Sequence, residues 1–133
     1  MTDAIAITRT VLIASAAVLA LVDRNSVYPI LFPQNAVPPC LVLNIVGNRD
    51  EQMLSGPGGY FEARVGVECL AETPSAAIEL GTAVLSALGG IVKQTVGTAT
   101  DVDITFAGID YTDSSDDRSM CRRILHFTVR YKP

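Results

Sequence analysis

Two periodicities divide this chain into strands and helices. Near the C-terminus Leu125, Phe127, Val129 and Tyr131 alternate with Ile124, His126, Thr128 and Arg130. Val65, Val67 and Cys69 alternate in the same way with Arg64, Gly66 and Glu68. Successive strand side chains point to opposite faces, so a period of two predicts half-buried strands in an antiparallel sheet. Between these two stretches Ala77, Ile78, Leu80, Ala83, Val84, Leu85 and Leu88 recur at helical spacing. Thr73 or Ser75 can cap that helix, Pro74 suits its first turn, and Gly89-Gly90 ends it.

A second helix is predicted at the N-terminus, capped by Thr2 or Asp3 and running to about Asp23. Val11 to Val22 is apolar apart from Ser15. Roughly 18–20 such residues are needed to span a bilayer, and this run is shorter. No positive cluster precedes it, as a signal peptide would require. Ile5, Val11, Leu12, Leu19 and Val22 can share one helix face, which predicts a core helix of a soluble domain.

The remaining segments are extended. Val27 to Phe32 contains Pro29, which removes a ladder donor and suits a sheet edge. Cys40 to Val46 and Phe61 to Ala71 are strands joined by a polar loop, Gly47 to Gly59. Ile91 to Thr100 has room for one short strand, and Asp101 to Tyr111 and Met120 to Tyr131 are two longer ones. The order is α-β-β-β-α-(β)-β-β. It predicts a single α+β domain over 1–133, mainly antiparallel sheet, with two helices packed on one face. The loop before Phe61 is too long for a tight hairpin, carries both charge signs and holds no catalytic group, which points to docking with other proteins.

Composition narrows the function. With 49% hydrophobic and 18% charged residues the chain is globular. A formal charge of −4 and the absence of a basic cluster argue against reading of nucleic acid by sequence. Cys40, Cys69 and Cys121 are odd in number and lack Cys-x-x-Cys spacing, which fits small apolar strand residues in a reduced, intracellular setting. Candidate chemistry is weak throughout. Gly56-Pro-Gly-Gly59 lacks the lysine and following helix of a phosphate loop. Asp113, Asp116 and Asp117 lack the glycine turn and terminal glutamate of a calcium loop, and read as a solvated hairpin tip. His126 has no nucleophile at a recognisable spacing and is the only histidine, so neither a catalytic dyad nor a zinc site is expected.

Several of these segments together carry a family likeness. Pro38-Pro-Cys-Leu-Val-Leu43 precedes the Gly-Pro-Gly loop. Ala63-Arg-Val-Gly-Val-Glu-Cys-Leu-Ala71 leads through Glu72-Thr-Pro-Ser to a helix, and Arg123-Ile-Leu-His-Phe-Thr-Val-Arg-Tyr131 closes the chain. In this order they resemble the tail completion, or tail terminator, proteins of long-tailed phages. Leu70 and the basic Arg122-Arg123 stand where the family commonly has an aromatic and acidic residues.

The resemblance implies a non-enzymatic virion protein without cofactor or metal. It implies a homohexameric ring at the tail–neck junction, assembled in the host cytoplasm. Such a ring caps the tail tube, stops its polymerisation and meets the head, with DNA passing through the centre. Its partners would be its own copies, the major tail tube protein and a neck or head-completion protein. The contact surfaces are expected on the two polar loops. These comprise Arg49, Asp50, Glu51, Gln52, Met53, Leu54, Gly56 and Pro57, and then Asp113, Asp116, Asp117 and Arg118. The rival readings are a neck or head-completion ring and a small α+β ligand-binding domain with a pocket near His126, Asp101 or Asp103. Deleting residues 52–58 is expected to preserve the folded circular-dichroism spectrum and impair assembly in native mass measurement. An unfolded deletion variant would contradict the docking role.

Overall fold

A computed structural model describes residues 3–30, 37–46, 53–55, 60–114 and 120–132. The first helix of the sequence reading is two helices, α1 (Ala4–Ile13) and α2 (Ala16–Leu19). Asp3 caps α1, its side chain accepting from Ala6 N at 2.8 Å. Ser15 is extended and caps α2, accepting from Val18 N at 3.4 Å. A serine hydroxyl offers the backbone an alternative to continuing the helix, so the break falls at the one polar residue of the apolar run. The break also changes the buried face. Ala4, Ile7, Leu12, Val18 and Val22 are buried, whereas Leu19, expected inside, is 41% exposed. No described helix is long and apolar enough to cross a membrane.

Seven strands follow: β1 (Val27–Pro29), β2 (Cys40–Ile45), β3 (Met53–Ser55), β4 (Tyr60–Ala71), β5 (Gln94–Val96), β6 (Ala99–Ser114) and β7 (Cys121–Lys132). Helix α3 (Pro74–Leu88) lies between β4 and β5, and Thr73 caps it through a bond from Ala76 N at 3.1 Å. The strands form one sheet in the order β1-β2-β4-β7-β6-β5, with β3 paired to β4 beyond the end of β2. Every pairing is antiparallel except β1 with β2, so the predicted α+β class and antiparallel character hold. Pro29 sits in the edge strand, as its missing donor requires.

The long loop is less irregular than its composition indicates, because Met53–Ser55 pairs with Tyr60–Glu62 as a short strand. The acidic hairpin starts later than expected, since β6 continues through Ser114. A tight turn joins β5 to β6, with Gly97 at φ +60°, a conformation that costs glycine little.

One face of the sheet lies under the helices. Val65, Val67 and Cys69 of β4 and Leu125, Phe127 and Val129 of β7 are all fully buried there, with Leu80, Val84 and Leu88 of α3. The predicted alternation of β4 and β7 therefore selects the core face correctly. The opposite face carries a smaller apolar cluster at one end, made of Cys40, Val42 and Leu70 with Tyr28 and Met120 against them. Phe127 is the largest fully buried side chain and meets Phe106 edge-on, ring centres 5.9 Å apart. Phe127→Ala should cost about 3–5 kcal/mol, the range for removing a buried phenylalanine. Urea denaturation would show this as a lower midpoint at unchanged slope, and a loss below about 1 kcal/mol would contradict the placement of Phe127 in the core.

Candidate functional site

The most organised polar feature of the described residues is built on two adjacent arginines of β7. Neighbouring strand residues face opposite ways, so Arg122 and Arg123 serve opposite sides of the sheet. On the open face Arg122 forks onto Asp113 of β6, Nε to Oδ1 at 2.7 Å and Nη2 to Oδ2 at 2.8 Å. Its Nη1 donates to Glu68 Oε1 of β4 at 2.8 Å. Glu68 Oε2 accepts in turn from Asn44 Nδ2 of β2 at 3.3 Å. One chain of side chains thus ties four neighbouring strands, β6, β7, β4 and β2.

On the helix face Arg123 forks onto Asp110, Nε to Oδ1 at 2.9 Å and Nη2 to Oδ2 at 2.7 Å. Its Nη1 donates to the carbonyl of Ile78 at 2.8 Å and to Thr82 Oγ1 at 3.2 Å, both on α3. Gly81 makes the room. A Cβ there would stand 2.5 Å from Arg123 Cδ, so only glycine lets the guanidinium reach this turn of the helix without displacement. A bulge in β6 aims the carboxylate. Between the pairs Phe106–Phe127 and Asp110–Leu125, three β6 residues lie opposite His126 alone, and Gly108 among them takes φ +85°.

Forked arginine–carboxylate bonds set the charge states. Asp110 is held below the ordinary aspartate value of 3.8 by its bonds from Arg123, and Asp113 likewise by Arg122. Both arginines are pushed further up by the same bonds. His126 shifts the other way, downward, because burial and then the nearby Arg64 disfavour its cation. Its Nδ1 is buried without a hydrogen bond among the described residues. Burial raises the thiol of Cys40 to about 11 and that of Cys69 to about 12, so both are protonated and unreactive at neutral pH. All three cysteines are free and buried, as expected for small apolar strand residues.

The sequence candidates are distributed unevenly over this frame. Arg49, Asp50, Glu51, Gln52, Gly56, Pro57, Asp116, Asp117 and Arg118 lie outside the described residues. Met53 and Leu54 fall in β3. Asp113 is not at a solvated tip; it is a strand residue engaged by Arg122. Asp103 pairs across the sheet with Arg130, and His126 with Gly66. Four residues of β7 separate the two positions, about 13 Å at strand rise, so they do not converge on one substrate. Among the described residues no group of three or more acidic, histidine or cysteine side chains could hold a metal. Of the open grooves, the one of about 480 Å³ is lined by no acidic or histidine side chain, and the one of about 490 Å³ brings Glu62, Asp103 and Arg130 beside Thr105 and Thr128. Reasoning from sequence missed the arginine pair as a structural device. Two aspartates three residues apart facing two adjacent arginines on the next strand was the available signal.

The sheet is braced by arginine on both faces, Arg122 on Asp113 and Glu68 and Arg123 on Asp110. The chain belongs to the tail completion protein family: the family model described as tail completion protein gp17 matches residues 7–132. Its role is therefore structural, in the tail of a virion, as the resemblance indicated. Among solved structures it is similar to a chain of the virion of a native gene transfer agent particle. That likeness has a TM-score of 0.72 and 18% identity, and covers 98% of this chain and 95% of the other. No curated protein matches it.

The depressed aspartate values fix a pH response. A carboxylate lowered in the folded state contributes stability that is complete above its unfolded value and is lost as pH falls through the lowered one. The ladder's contribution is therefore present above about pH 5 and disappears on acidification below 3.8. Asp110 and Asp113 are exposed enough for solvent to screen the effect, so it is modest. The double variant Asp110→Asn/Asp113→Asn should lose less stability than the parent between about pH 6 and pH 3 in urea titrations. Equal losses would show that these pairs do not couple folding to pH.

Proposed function

We propose that this chain forms a homohexameric ring that caps the finished tail tube, terminates its polymerisation and presents the surface that joins tail to head. The observation that carries this reading is the family match across residues 7–132. The architecture supports it. A closed ring needs a subunit whose two side surfaces differ and complement each other head to tail. The sheet has two unlike edges, β1 beside helix α1 and β6 with β5 on the far side. The arginine ladders make the domain between them a stiff block, suited to transmitting contact from the tube on one axial face to the neck on the other.

The protein is read as non-enzymatic, at the tail–neck junction, after assembly in the host cytoplasm. Its partners are its own copies, the major tail tube protein and a neck or head-completion protein. DNA passes through the lumen without being read. Six copies carry a formal charge of 6 × −4 = −24. A ring with no excess of cations displaces few counterions from DNA, so the duplex slides rather than sticks.

Loss of the gene should give particles with overlong tails in electron micrographs. Normal tails on filled heads that leak DNA would instead favour the head-completion reading. Native mass measurement of the protein, alone or with tail tubes, should give a species of six 14.1 kDa chains. A chain that never joins itself, tails or heads would overturn both.

A further inference from the structure

The two edges of the sheet are finished differently. At the β1 edge Pro29 has no amide hydrogen, and Arg9 Nε donates to the carbonyl of Val27 at 3.2 Å. These devices guard an edge against an added strand. At the β6 edge, among the described residues, β5 covers only Ala99 to Val102, and Ile104 N donates to the carbonyl of Ile91 at 3.0 Å. From Thr105 to Ser114 no described strand pairs with the outer side of β6. The whole of β6 contains neither lysine nor proline. Its carboxylates do not guard it either, because Arg122 and Arg123 draw Asp113 and Asp110 back over β7.

This edge also carries one exposed aromatic ring on each face. Phe106 shares the face of Phe127 and is 40% exposed; Tyr111 shares the opposite face with Ile124 and is 49% exposed. A groove of about 490 Å³ runs beside it between Val92 and Phe106. A bulge at residues 107–109 interrupts the edge, so a short incoming strand would find backbone partners on either side of it, with an aromatic side chain on each face.

The topology names the partner strand. Strand β3 pairs only with β4 among the described strands, so its other side is a second edge that no described strand covers. The pairs β3–β4, β4–β7 and β7–β6 are all antiparallel, so β3 runs opposite to β6. A second copy placed to continue the sheet in the same sense brings its β3 antiparallel to β6. We propose that the outer edge of β6, from Thr105 to Ser114, takes the outer edge of β3 of a second copy as an added strand. One sheet then runs on into the next around the assembly. The contact is heterologous, and it rests on the ring reading, since only a head-to-tail contact that closes by rotation makes a ring.

Thr105→Lys/Tyr111→Lys places charge on two exposed positions of this edge. The expected result is a circular-dichroism spectrum like the parent's with self-association weakened at least tenfold in native mass titration. A partner variant, Leu54→Cys/Thr105→Cys, reports the pairing directly and keeps the edge uncharged; mild oxidation should give a covalent ladder of chains on denaturing gels. If the lysine variant assembles like the parent, or the cysteine variant gives no ladder while still assembling, the edge pairing is wrong and the ring reading stands. If the parent forms no ring with or without tail tubes, the ring reading fails, and the edge pairing with it.

Discussion

Eleven consecutive residue pairs, Phe61–Tyr131 through Ala71–Cys121, join β4 to β7, and the position of every other functional group follows from their register. A slip of one residue would set the faces of one strand against those of the other, sending either Val65 and Val67 or Leu125 and Phe127 to solvent. Each of these side chains is fully buried in the observed register. The same register sets Arg122 diagonal to Glu68 on the open face and turns Arg123 toward Gly81 under α3. The hydrophobic core thus aims the arginines, and the arginines fix the strand outside them.

That outer strand is where the proposed assembly contact lies. β6 is held to β7 by paired backbone and by two forked arginine–aspartate contacts, one on each face. An exposed ion pair of this kind adds little stability by itself. Its value here is positional. Ordered on the inside and uncovered by any described strand on the outside beyond Ile104, β6 presents two exposed aromatic rings on either side of its bulge, while β1 is closed by proline and arginine. In the proposed contact, β6 of one copy meets β3 of the next while β1 is refused, which favours a directed ring over an indiscriminate sheet aggregate.

Most of the fold was legible because it rests on period. The alternation in β4 and β7, the helical spacing of α3 and the cap at Thr73 all depend on local sequence and emerged as expected. The break at Ser15 was not legible, since no glycine or proline marks it and a single hydroxyl decides it. Met53–Ser55 looked like loop because three residues carry no period, and their strand character comes from β4 alone. The contact surface was harder still. Asp113 was visible as an acidic residue, but its pairing with Arg122 is set by a bulge around Gly108 that alternation cannot show. That no described strand covers the outer side of β6 beyond Ile104 is a property of strand order, which pattern does not encode.

Hydrogen exchange, compared between the isolated chain and the chain assembled on tails, tests the central claim most directly. The account predicts that amides of β4 and β7 are slow in both states. Amides on the outer side of β6 beyond Ile104 should exchange readily in the isolated chain and become protected on assembly, while those of β1 stay as they are. Protection gained over α1, α2 or β1, with β6 unchanged, would contradict it.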